Sequence, residues 1–153
     1  MRRQEELKTP PLDIDKVKTV EQAMSNYLYL SPNVFKLFLD ANNKKEPVYG
    51  KLNEFVFIVK PEKIDDNKVA VPANIRTGLK LSPTMDHPVI TFYELPNQLF
   101  MLGSLKMSVT CPTLKPDEKV EIAEEELIKE FRHRYAKHFV GSQQEFYLQL
   151  NVP

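Results

Sequence analysis

Short apolar bursts separated by proline-marked turns fill the first two thirds of the chain, and each burst has the length of a strand. Tyr27-Leu28-Tyr29-Leu30 predicts a strand closed by Ser31-Pro32-Asn33. Val34 to Leu39 fits either a short strand or a helical turn before the polar loop Asp40 to Lys45. Glu54-Phe55-Val56-Phe57-Ile58-Val59 is apolar on both faces and stops at Lys60-Pro61, a pattern that suits a closed barrel. Lys68-Val69-Ala70-Val71 predicts a third strand. After it, Pro72 fits a first helical position and Gly78 a left-handed helix end, with Leu79 and Leu81 anchoring the exit. Val89 to Tyr93 predicts a further strand, ended by Leu95-Pro96-Asn97, where a subdomain boundary is expected.

Beyond that boundary Leu105, Met107 and Val109 alternate with polar residues, as in a strand wet on one face and ended by Pro112 and Pro116. The strongest helical period runs from about Glu118 to Phe139, carried by Leu127, Phe131, Tyr135 and Phe139, with Asp117 as a candidate cap and Gly141 as a stop. Its early glutamates and late basic residues complement the helix dipole. Phe146, Leu148 and Leu150 alternate as a last strand. Met1 to Leu12 is charged, ends in Pro10-Pro11 and has no apolar period, so residues 1–12 read as a flexible leader.

Composition narrows the function classes. With 21 basic and 21 acidic residues, the 153-residue chain lacks the net field that draws proteins to phosphate backbones or anionic lipid, so any basic contact is a local patch. One cysteine, Cys111, excludes an internal disulfide and a multi-cysteine zinc site, and fits the reducing cytosol; as a small apolar residue it needs no reactive role. The N-terminus carries no secretory signal, and no apolar run is long enough to span a bilayer.

Candidate chemistry is sparse. The four glycines, at 50, 78, 103 and 141, cannot build a phosphate-cradling loop or a dinucleotide fingerprint, so no ATP site of that kind is expected. His133 and His138 would point about 140° apart on a helix and read, with His87, as solvated residues rather than metal ligands. Glu124 to Glu126 fan around the axis instead of converging. Gly103-Ser104 and Gly141-Ser142 are the dipeptide at which one double-psi barrel enzyme family cuts itself, but the pair is common, and the Asp-Thr-Gly or Asp-Ser-Gly of barrel proteases does not occur. Lys16, Lys18, Arg76, Lys106 and Lys115 are scattered, and each alone reads as an ordinary solubilising charge.

The stretch Val69-Ala70-Val71-Pro72-Ala73-Asn74-Ile75-Arg76-Thr77-Gly78-Leu79-Lys80-Leu81 resembles the strand, proline, short helix and Gly-Leu exit of the N-terminal domains of SNARE-disassembling ATPases of the N-ethylmaleimide-sensitive-factor family. Leu102 to Val109, Glu125 to Phe131 and Gly141 to Leu148 resemble successive elements of that family's second subdomain, and the likeness covers about Lys16 to Val152. It implies an α+β, β-rich fold: a double-psi β-barrel over 13–96, then an α/β-roll over 97–153 that lacks the family's later strands.

The resemblance further implies a non-catalytic adaptor-binding domain acting in vesicle-mediated transport and membrane fusion. Its cleft would grip a SNAP adaptor and through it SNARE complexes. ATP and magnesium would belong to the ATPase modules of a homohexameric parent protein. This chain would carry no cofactor, nucleic acid or membrane insertion, and would be cytoplasmic, recruited to membranes through adaptor and SNAREs. Lys16 aligns with a family arginine and Lys115 with the second residue of a paired-lysine site, whose first residue is Leu114 here. The family's basic pair on the short helix falls on Asn74 and Ile75, leaving Arg76 as the adjacent cation. Lys16, Arg76 and Lys115 are therefore the expected adaptor contacts. The alternative partner set is the ubiquitin-pathway cofactors bound by the related domain of valosin-containing protein.

Overall fold

The computed structural model describes residues 6–96, 104–109, 121–141, 144 and 146–148. In chain order they form β1 (Asp13–Asp15), α1 (Val20–Ala23), β2 (Leu28–Leu30), α2 (Pro32–Ala41), β3 (Val48–Leu52), β4 (Phe55–Pro61), β5 (Lys68–Ala70), α3 (Ala73–Gly78), β6 (Thr91–Tyr93) and α4 (Glu124–Tyr135). The fold is α+β and sheet-rich. Its strands make one mixed six-stranded sheet in the order β1-β5-β2-β4-β3-β6. β1/β5 and β2/β4 run parallel, and the other three pairs run antiparallel.

The expected flexible leader is corrected over its described part. Phe92 N–H donates to the Leu7 carbonyl at 2.7 Å, Thr9 N–H to Ile90 at 2.9 Å and Leu12 N–H to Pro88 at 2.9 Å, so residues 7–12 run beside β6 before entering β1. Pro10 and Pro11 have no N–H to give, and the pairing skips them. Leu12 is fully buried, and buried Thr9 uses its hydroxyl to accept from Ile90 N–H at 3.0 Å. One leucine and one threonine make too short a pattern to register as a period in the sequence.

The open segment at Val34 to Leu39 is helical. Ser31 caps α2 by accepting from Val34 N–H at 3.2 Å, Pro32 supplies the first turn, and Phe35 and Phe38 face the core. α3 differs from expectation at both ends. Pro72 is its N-cap, and Gly78 lies within the helix; the left-handed residue is Lys80, at φ 56°. Leu81 N–H reaches back to Arg76 at 2.8 Å and Lys80 N–H to Thr77 at 3.2 Å, the paired bonds of a Schellman end.

The core joins Leu12, Leu28, Leu30, Phe38, Val48, Leu52, Phe57, Val59, Val69, Val71 and Ile90, all almost wholly buried. Gly50 permits that packing: a Cβ there would lie 2.7 Å from Val59 Cγ2 and 2.9 Å from Ile90 Cγ2.

Two compact units divide the chain. Met1–Glu94 with Lys137–Leu148 form the first, and Leu95–Ala136 with Gln149–Pro153 the second. In the second, α4 begins at Glu124 rather than near Glu118, with Ala123 at its cap and no side-chain bond; Asp117 lies outside the described residues. The helix stops at Tyr135 because Ala136 is extended and Lys137 is left-handed at φ 66°. Residues 104–109 form no strand and are exposed, and 146–148 form none; Leu150 lies outside the described residues.

Candidate functional site

The sequence points to cations, and the fold gathers some of them. Lys16 follows β1 directly and is exposed, its N–H donating to Asp15 Oδ1 at 2.9 Å. The Asp15 carbonyl accepts from Val71 N–H at 3.1 Å, and the Val71 carbonyl accepts from Arg76 Nε–H at 3.1 Å. Because β1 and β5 are parallel, both chains leave the sheet at the same end. Two hydrogen bonds thus link the backbone beside Lys16 to the guanidinium of Arg76. Arg76 is half-buried and held by one donor, which leaves its terminal N–H groups available for a carboxylate.

Asn74 and Ile75 are 3% and 4% exposed. Their side chains turn inward on α3, so a basic pair at those positions could not reach solvent here, and Arg76 is the position of that turn that can. Lys115, Leu114 and Cys111 lie outside the described residues, as does Gly103. Lys106 belongs to the second unit and is exposed.

A second group of cations joins Lys18, named in the sequence, to Lys63 and Lys60, which were not singled out there. Lys18 Nζ donates to the Lys63 carbonyl at 3.3 Å, which brings two exposed lysines together across 45 positions. Lys60 Nζ lies 5.6 Å from the centre of the Tyr27 ring. Nearby, Glu62 is engaged by Gln22 Nε2 and by Lys63 N–H at 2.9 Å. Gln22 on α1 joins the two places, its Oε1 accepting from Lys18 N–H at 2.9 Å and its Nε2 donating to Glu62 beside Lys63, a meeting that no local pattern encodes. Lys16, Lys18, Lys63 and Arg76 form no ion pair with a described residue; the pairs present are Lys68 with Asp65 at 3.7 Å and His87 with Asp13 at 3.0 Å.

The histidines correct another expectation. His133 is exposed on α4, but His138 lies past the helix and is half-buried, stacked on Tyr27 with ring centres 5.4 Å apart and planes 10° apart. Burial pushes its pKa down to about 4, so it is neutral at physiological pH. Among the described residues, no group of three or more His, Cys, Asp or Glu side chains is arranged to hold a metal ion. A shallow depression in the first unit is walled by Phe55, Phe57, Asn74, Ile75, Gly78, Leu79 and Gln144, and no titratable side chain lines it. Its described lining offers the amide groups of Asn74 and Gln144. Among the described residues no helix is long and apolar enough to cross a membrane.

The site is therefore an exposed cationic surface backed by a hydrogen-bonded sheet end. No family model matches the chain, and no curated protein matches it.

Proposed function

We propose that this chain is a protein-binding module, the N-terminal adaptor-binding domain of a SNARE-disassembling ATPase of the N-ethylmaleimide-sensitive-factor kind. On this reading it grips a SNAP adaptor and, through it, SNARE complexes, while ATP and magnesium act in ATPase modules elsewhere in a hexameric parent protein. The observation that carries it is the unit from β5 through Pro72 and α3 to the Schellman end at Lys80. It follows the order of the resembling stretch and holds Arg76 against Val71, beside Lys16. A held guanidinium at the sheet end where the exposed Lys16 also leaves it is suited to an acidic adaptor, because complementary charge sets orientation and on-rate.

The double-psi barrel belongs to the same reading. It is supported by the parallel pairings and by residues 7–12, whose bonds to 88–92 connect the β1 end of the sheet with the β6 end. The test is surface capture of purified SNAP adaptor, with ubiquitin-pathway cofactors as the competing partners. Adaptor binding that Lys16→Glu and Arg76→Glu weaken supports the proposal. Capture of only the ubiquitin-pathway cofactors would overturn it.

A further inference from the structure

We infer that Lys137 to Gly141 is a releasable strap, a segment that opens from the first unit without unfolding of the sheet beneath it. These residues form no helix or strand, yet they belong to the first unit. Among the described residues, side chains hold them. Tyr49 on β3 and Tyr93 on β6 are direct cross-strand partners, and Phe139 packs edge-on against both, with ring centres 5.1 and 5.4 Å away. The Tyr49 hydroxyl donates to the Lys137 carbonyl at 2.6 Å. His138 stacks on Tyr27, and Gly141 lies so close to the Phe55 ring that no Cβ would fit.

This attachment differs in kind from the rest of the unit. Residues 7–12 are held by backbone bonds and bury Thr9 and Leu12, whereas none of the strap residues is fully buried and they rest on aromatic rings. A segment held without a backbone ladder opens at lower free energy than the sheet it covers. Opening uncovers the rings that the strap touches, Tyr27, Tyr49, Tyr93 and Phe55. Because α4 ends at Tyr135, a pull along that helix reaches the strap within two residues. The inference does not depend on the identity of the adaptor.

Limited trypsin digestion of the full chain tests it, with cleavage of the Lys137–His138 bond followed by mass spectrometry across a urea series. A protease needs that carbonyl free and the chain extended, so cleavage reports opening. The expected result is cleavage with a much shallower urea dependence than global unfolding. In Tyr49→Phe, which loses one hydrogen bond, cleavage should accelerate about three- to tenfold at low urea with little change in the global midpoint. Gly141→Ala, whose Cβ cannot seat against Phe55, should do the same if it folds. Cleavage that follows the global unfolding slope, or a Tyr49→Phe rate equal to the parent's, would overturn the inference.

Discussion

Arg76 Nε–H donates to the carbonyl of Val71 at 3.1 Å, tying the only described cation of α3 to the end of β5. Its charge is thereby held in place before any partner arrives. Arg76→Glu should lose that bond, costing about 1 kcal/mol of stability, while Lys16→Glu at an exposed site should stay within about 0.5 kcal/mol. Association with an acidic adaptor should slow by a factor on the order of ten for the double reversal at low salt, and the deficit should shrink as salt is raised. Stopped-flow or surface kinetics at two salt concentrations, with circular dichroism on each variant, checks this. An undiminished, salt-insensitive on-rate would remove these residues from the contact surface.

His138 gives the fold a directional pH dependence. Its pKa falls from the ordinary 6.5 to about 4 because burial disfavours the charged ring. Between those values the unfolded chain binds a proton that the folded chain does not, so this contribution is fully present above about pH 6.5 and is lost as pH falls toward 4. Urea midpoints at pH 7.5 and 5 should differ for the parent protein, and His138→Phe should narrow the gap. Equal gaps in parent and variant would show that other groups set the acid limb.

Gly50 and Gly78 should respond to alanine with opposite signs. A Cβ at Gly50 would press into Val59 and Ile90, both almost wholly buried, and overpacking of this kind costs about 1–3 kcal/mol. At Gly78, inside α3, a Cβ meets nothing within 4 Å and φ is not positive. There alanine should stabilise the protein by about 0.4–1 kcal/mol by restricting the unfolded chain and favouring helix. Denaturant midpoints of the two variants decide the matter.

Local chemistry was legible where one residue dictates one geometry. The burst at Phe55 to Val59 becomes the longest described strand, buried at Phe57, Ile58 and Val59, whereas Ser31-Pro32, legible as the close of β2, left open that it also caps α2. Long-range pairing was not. Residues 7–12 acquire their order from Pro88 to Phe92, some 80 positions away, and the sequence there offers only isolated contacts. Glycine tolerates the left-handed conformation without strain, which points to Gly78, but Gly78 is the last residue of α3 and Lys80, two positions on, takes that conformation. For the candidate site, Lys16 and Arg76 were visible through resemblance, whereas the meeting of Lys18 with Lys63 is a contact across 45 positions that no local pattern shows.

The apolar stripe of α4 is unevenly buried along its length. Periodicity makes Phe131 and Tyr135 equivalent members of one face, and Phe131, mid-stripe, would be expected to cost about 3–5 kcal/mol on truncation. The two rings do touch, with centres 5.2 Å apart, but only Tyr135 is buried, at 4% exposure, while Phe131 is half-buried and Ile128 is 38% exposed. A half-buried ring can be replaced partly by water, so its loss leaves less of a cavity, and Phe131→Ala should cost about 1–2 kcal/mol. Tyr135→Ala should cost more, about 3 kcal/mol or above, because a buried ring of that size leaves a void its neighbours cannot fill. Because the pair is in contact, the double variant should fall short of the sum of the singles by a measurable coupling. Urea unfolding followed by far-ultraviolet circular dichroism would rank the three variants. A larger loss for Phe131→Ala than for Tyr135→Ala would mean that the stripe, rather than the buried end of the helix, carries its stability.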